Sequence, residues 1–120
     1  MLIEKDNSGL IIIDVQEKLV TAMPKPHKFI DNIIKLQKAA KILDIPVTIS
    51  EQYPEGLGST IDKIQKNRSK YTHFCDKTFF SHYQDPHGSV NKPTRDHIIC
   101  GIEAHICVLQ TAIDYAENKE

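Results

Sequence analysis

The first apolar feature of the chain is a short unbroken run. Leu10-Ile11-Ile12-Ile13 follows a Ser8-Gly9 turn signal and is apolar at both parities, the pattern of a strand covered on both faces. It ends at Asp14. From Lys28 to Leu43 the residues Phe29, Ile33, Leu36, Ala40 and Leu43 step by four, three, four and three, which predicts one stripe of an amphipathic helix. Pro46 bars continuation past Ile45. Val47-Thr48-Ile49 predicts a second strand, and Gln52 to Ser59, with Pro54, Gly56 and Gly58, reads as a loop. A short helix over Thr60 to Asn67 rests on Ile61 and Ile64, and Tyr71 to Cys75 predicts a third strand ending just before Lys77. His82 to Arg95 holds two prolines and one glycine among few aliphatics, so it reads as a loop or irregular crossover. His97 to Cys100 is the fourth strand, with Gly101 at its end. Val108, Leu109, Ala112, Ile113 and Ala116 then mark a second helix across Cys107 to Glu117. Strands alternating with helices imply βαβ units and a parallel α/β sheet.

Composition narrows the function classes. The 120 residues suffice for one domain over 1–120 and are too few for two. Fifteen basic against sixteen acidic side chains give a net charge of -1, which offers no footprint for nucleic acid. The longest aliphatic run, Leu10 to Ile13, is far below the roughly 18 residues that a membrane helix needs. The N-terminus carries acids where a secretory signal carries basic residues, so the expected location is cytoplasmic, with no membrane partner. Cys75, Cys100 and Cys107 cannot all pair and show no disulfide framework. The six histidines lack zinc-site spacing, so no metal or cofactor is expected.

In an open parallel sheet, ligands bind beyond the carboxyl ends of the strands. Asp14 closes the first strand, Lys77 lies past the third, and Cys107 follows the fourth at the expected start of a helix. A cysteine there sees unpaired N–H groups, and a nearby ammonium would favour its thiolate. An aspartate in reach could take the thiol proton and later deliver it to a leaving group. Each residue also has a plain structural reading: Asp14 as a turn residue, Lys77 as a solvated lysine, Cys100 and Cys75 as small core hydrophobes.

Four blocks carry a family resemblance: Gly9 to Gln16 (GLIIIDVQ), Ser50 to Gly58 (SEQYPEGLG), Lys77 to Ser81 (KTFFS), and Gly101 to Asp114 (GIEAHICVLQTAID). In order and spacing the chain resembles the isochorismatase-like cysteine hydrolases, most closely the metal-free isochorismatase-domain subgroup. The resemblance implies a three-layer α/β/α Rossmann-like sandwich with strand order 3-2-1-4. It also implies a catalytic triad of Cys107 as nucleophile, Asp14 as acid/base and Lys77 assisting both. It further implies a cis peptide between Ile102 and Glu103, with the backbone N–H groups of Glu103 and Cys107 as an oxyanion hole. The chemistry implied is thiolate attack on a small amide or related carbonyl compound, release of ammonia or an amine, and hydrolysis of the thioester without metal. Isochorismate hydrolases proper usually lack the cysteine, so Cys107 points to the amide-hydrolysing branch. Nicotinamidases carry an Asp-x-His metal site where this chain has Glu51-Gln52-Tyr53. Tyr53, Phe79 and Phe80 are candidate pocket residues, with a core role open for either Phe.

Relatives of this pattern continue past the position of Glu120 with two further strands, so the expectation is a domain lacking the family's C-terminal third. Its fourth strand would then be an open edge, for which a homo-oligomeric partner is expected. Two other readings stay open: a catalytically impaired relative acting as a binding or assembly protein, and a redox-sensing thiol protein built on Cys107.

Overall fold

Strand β1, Ser8–Ile13, is buried at every position, because its consecutive aliphatics are shared between two layers. Leu10 and Ile12 join one apolar cluster, and Ile11 and Ile13 join another on the opposite face. The structure, a computed structural model, describes residues 3–77 and 96–117. The expected crossover at 82–95 and the candidate pocket residues Phe79 and Phe80 lie outside them.

After a 3-10 turn at Lys5–Asn7, the order is β1, α1 (Glu17–Val20), α2 (Pro26–Ile42), β2 (Val47–Gln52), α3 (Pro54–Leu57), α4 (Asp62–Lys66), β3 (Thr72–Lys77) and β4 (Asp96–Gly101). A π-helical turn at Ala104–Val108 then leads into α5 (Leu109–Glu117). All four strands are parallel, in the order β3-β2-β1-β4. That is the order expected. Ile13 stands level with Ser50 of β2 and Gly101 of β4, and Ser50 stands level with Cys75 of β3. One row thus runs across the whole sheet near its carboxyl ends.

Helix α2 starts on Pro26, which needs no N–H at that position. Its buried line is Ile30, Ile33, Gln37 and Ala40; of the expected stripe, Ile33 and Ala40 are buried, Phe29 and Leu36 are partly buried against the same cluster, and Leu43 is exposed. The apolar pattern thus marks the core-facing side, and what it leaves out is a glutamine at a core position. Gln37 enters the core because its Nε2 donates to the Ile64 carbonyl of α4 at 2.9 Å, as burial of an amide requires. With Val20 of α1, Ile49 of β2 and Ile64 of α4, this line completes the first cluster.

On the opposite face Cys107 packs with Ile11 and Ile13, joined by Ile99, Ile106, Val108 and Tyr115. The Tyr115 ring of α5 lies 4.6 Å from the His97 ring of β4, which helps to hold that helix on the sheet. Helices therefore flank a parallel sheet on both sides.

Two short helices, α1 and α3, fall where periodicity gave no signal, since each is a single turn. The chain before α1 and after α3 is pinned instead by polar contacts. Gln16 and Thr60 form an antiparallel bridge, and the Ile61 N–H donates to the Val15 carbonyl at 3.0 Å.

Candidate active site

At the carboxyl end of β1 the chain leaves the strand through Asp14, whose φ of 53° is left-handed. Aspartate tolerates that region better than most residues because its short side chain can bond locally. The bend turns the carboxylate into the protein, where Asp14 is 0% exposed. A buried carboxylate needs donors. Ser50, also 0% exposed, donates its hydroxyl to Asp14 Oδ1 at 2.8 Å, and the Asp14 N–H donates to the Ser50 carbonyl at 3.1 Å.

On the other side of β1, strand β4 closes against Asp14's neighbour. Gly101 has a φ of 126°, and a Cβ placed on it would run into the Ile13 carbonyl, with the Ile13 nitrogen at only 2.6 Å. Only glycine permits this approach. The next residue, Ile102, donates its N–H to the Ile13 carbonyl at 2.9 Å, which brings the segment carrying Cys107 to the end of β1. The Ile102-Glu103 peptide is cis, at the position the resemblance implies.

Cys107 was expected at the first turn of an α-helix. It lies instead in the π-helical turn before α5, where the Val108 N–H reaches back five residues to the Glu103 carbonyl at 3.2 Å. The wider turn adds a residue between β4 and the helix, and such turns recur at functional sites. Cys107 is 7% exposed. Its carbonyl accepts the Thr111 hydroxyl at 2.7 Å, which ties the turn to α5.

Lys77 is the last residue of β3 rather than a residue beyond it, level with Gln52 of β2. Two strand spacings, roughly 10 Å, separate its backbone from β1. Asp14, Lys77 and Cys107 thus all stand at or after the carboxyl ends of strands in one sheet. The other cysteines sit on strands: Cys75 is buried on β3, and Cys100 is half-buried on β4. Burial pushes the Cys100 thiol up to about 12.

Tyr53 stands directly after β2 in a left-handed conformation, φ 41°. Its ring lies against Gly56, where an added Cβ would meet the ring edge. The side chain is 57% exposed, a platform at the rim of the sheet's carboxyl end.

Sequence reading did not assign two residues of this region. Ser50 lies within β2 and gave no signal of its own, although pairing it with Ile13 would have placed it beside Asp14. Gln16, 0% exposed, donates its Nε2 to the carbonyls of Gln52 and Gly58 at 3.0 and 2.7 Å and accepts the Gln52 N–H at 2.7 Å. It fastens the 52–58 loop to the end of β1. Glu51 closes the same loop by accepting the Thr60 N–H and hydroxyl at 2.6 and 2.8 Å. Among the described residues, no group of three or more His, Cys, Asp or Glu is placed to hold a metal ion, and no helix is long and apolar enough to cross a membrane.

Residues 8–118 match the isochorismatase domain. The chain belongs to the isochorismatase family. It is 30% identical to isochorismatase family protein 1B of Dictyostelium discoideum over 94% of its own length and 58% of that protein's. A solved structure of MAR1 ribonuclease from Caenorhabditis elegans superposes with a TM-score of 0.89 at 39% identity, covering 96% of this chain and 60% of that one. The Escherichia coli YcaC gene product, described as an octameric hydrolase of unknown specificity, shares the fold with a TM-score of 0.86 at 17% identity, over 96% of this chain and 59% of its own. This isochorismatase-family chain therefore spans a little over half the length of these relatives. A hydrolase-type function goes with the family.

Proposed function

We propose that the protein hydrolyses a small amide or related carbonyl compound through a thioester on Cys107. The observation that carries this reading is the wholly buried Asp14 carboxylate at the carboxyl end of the central strand, next to the turn that presents Cys107. In the proposed cycle Asp14 takes the thiol proton as sulfur bonds to the carbonyl carbon, and the carbonyl oxygen becomes an oxyanion. The backbone N–H groups of Glu103 and Cys107 receive that oxyanion. Collapse breaks the C–N bond, and Asp14 returns the proton to the departing amine. Water, deprotonated by Asp14, then attacks the thioester, expels the thiolate and yields the carboxylic acid. Lys77 favours the thiolate and steadies Asp14 by its positive charge. Tyr53 offers an aromatic surface at the site's rim, and the assembly that fits this reading is a homo-oligomer, as for the octameric neighbour.

The ribonuclease name of the Caenorhabditis elegans neighbour supplies a second reading, cleavage of RNA. The net charge of -1 weighs against a polyanionic substrate. Ammonia or amine release from a panel of small amides tests both. Turnover is expected with the wild type, falling at least roughly a thousandfold in Cys107→Ala. Amide turnover that survives Cys107→Ala, or cleavage of labelled RNA with no amide turnover, contradicts the proposal. Ligand binding without any Cys107-dependent turnover would mark the protein as a binding relative.

A further inference from the structure

We infer that Ser50 is a positioning residue for Asp14, holding one carboxylate oxygen so that proton exchange with Cys107 runs through the other. The inference rests on the reading of Asp14 and Cys107 proposed above. Its basis is that β2, not β1, fixes the carboxylate. Asp14 has already left β1 through a left-handed turn, φ 53°, so the strand's own backbone no longer sets the direction of its side chain. Ser50 of β2 grips the residue twice. Its carbonyl accepts the Asp14 N–H at 3.1 Å, and its hydroxyl donates to Oδ1 at 2.8 Å.

Both residues are 0% exposed, so water does not compete for this bond. A hydroxyl has a single proton, and here it is committed to Oδ1. An ionised carboxylate can only accept, so Ser50 stabilises the form that must receive the thiol proton, while Oδ1 serves as anchor. The row Ile13, Ser50 and Cys75 across β1, β2 and β3 holds Ser50 in place in its turn. A fully buried serine within β2 is thereby explained by what it does to its neighbour.

The test is a double-mutant cycle read by the alkylation rate of Cys107 with iodoacetamide, resolved by peptide mass spectrometry. Urea unfolding of every variant reports the fold separately. Asp14→Asn suits the cycle because asparagine also accepts the left-handed conformation. Asp14→Asn alone is expected to slow Cys107 by at least about tenfold. Ser50→Ala is expected to slow it about tenfold in the wild-type background and less than about twofold in the Asp14→Asn background, since Ser50 acts through the carboxylate. Ser50→Thr keeps the hydroxyl and should stay within about twofold of the wild type. Equal slowing by Ser50→Ala in both backgrounds, or a Ser50→Thr rate as low as that of Ser50→Ala, overturns the inference and leaves the role of Asp14 intact. An unchanged rate in Asp14→Asn overturns the catalytic reading itself, and the inference with it.

Discussion

The chemistry of a thiol depends on where the chain puts it, and Cys100 shows the inert extreme. Burial pushes its thiol from an ordinary 9.0 up to about 12, so at neutral pH it has almost no thiolate to react. Short exposure of the native protein to iodoacetamide at pH 7 should modify Cys107 before Cys100, as read by peptide mass spectrometry; the reverse order would contradict the assignment. The same shift has a stability consequence. An acid whose folded-state pKa is raised contributes its full stabilisation below the unfolded value of 9.0 and loses it as pH rises towards about 12. The wild type should therefore lose stability more steeply than Cys100→Ala over that window, by up to about 1.4 kcal/mol per pH unit. Parallel slopes in urea unfolding would show that Cys100 is not desolvated. The positions of Asp14 after β1 and of Cys107 after β4 were legible from sequence, because the apolar runs before them mark where each strand stops. Ser50 was not, because its role depends on a cross-strand register that periodicity does not encode.

Secondary-structure elements meet the site through two close approaches. Gly101 lets β4 pass against Ile13 at a φ only glycine accepts readily. Gly101→Ala should cost about 2–4 kcal/mol in urea unfolding and displace the turn carrying Cys107. A cost within about 0.5 kcal/mol would mean that the approach is not required. Gln16 holds the 52–58 loop with three hydrogen bonds. Gln16→Leu leaves those backbone groups without their partner and should cost about 3 kcal/mol, with faster amide exchange confined to that loop. Uniform exchange rates across the molecule would contradict this role. The two main helices and four strands were readable from apolar periodicity. The core position of Gln37 in α2 was not, since it depends on a bond to the Ile64 carbonyl. The turn at Cys107 was read as ordinary helix because a π-helical turn differs from it by one residue's offset, which the apolar stripe does not resolve.

At the scale of the whole molecule, the four strands differ in how far the fold encloses them. β1 is buried throughout, whereas β4 is half-buried along its entire length and, among the described residues, pairs only with β1. Leu109 and Ile113 of α5 are exposed one turn apart. Edge strands with apolar neighbours are usually covered, so sedimentation at micromolar concentration should show an oligomer. A folded monomer would contradict that expectation.

In the proposed reaction one sheet end activates Cys107 through Asp14 and Lys77. Its most direct test is the pH dependence of Cys107 alkylation in the wild type, Asp14→Asn and Lys77→Ala. The wild-type rate midpoint is expected well below the free-thiol value, moving upward in Lys77→Ala. A midpoint at the free-thiol value, unchanged in both variants, would show that the three residues do not form a catalytic site.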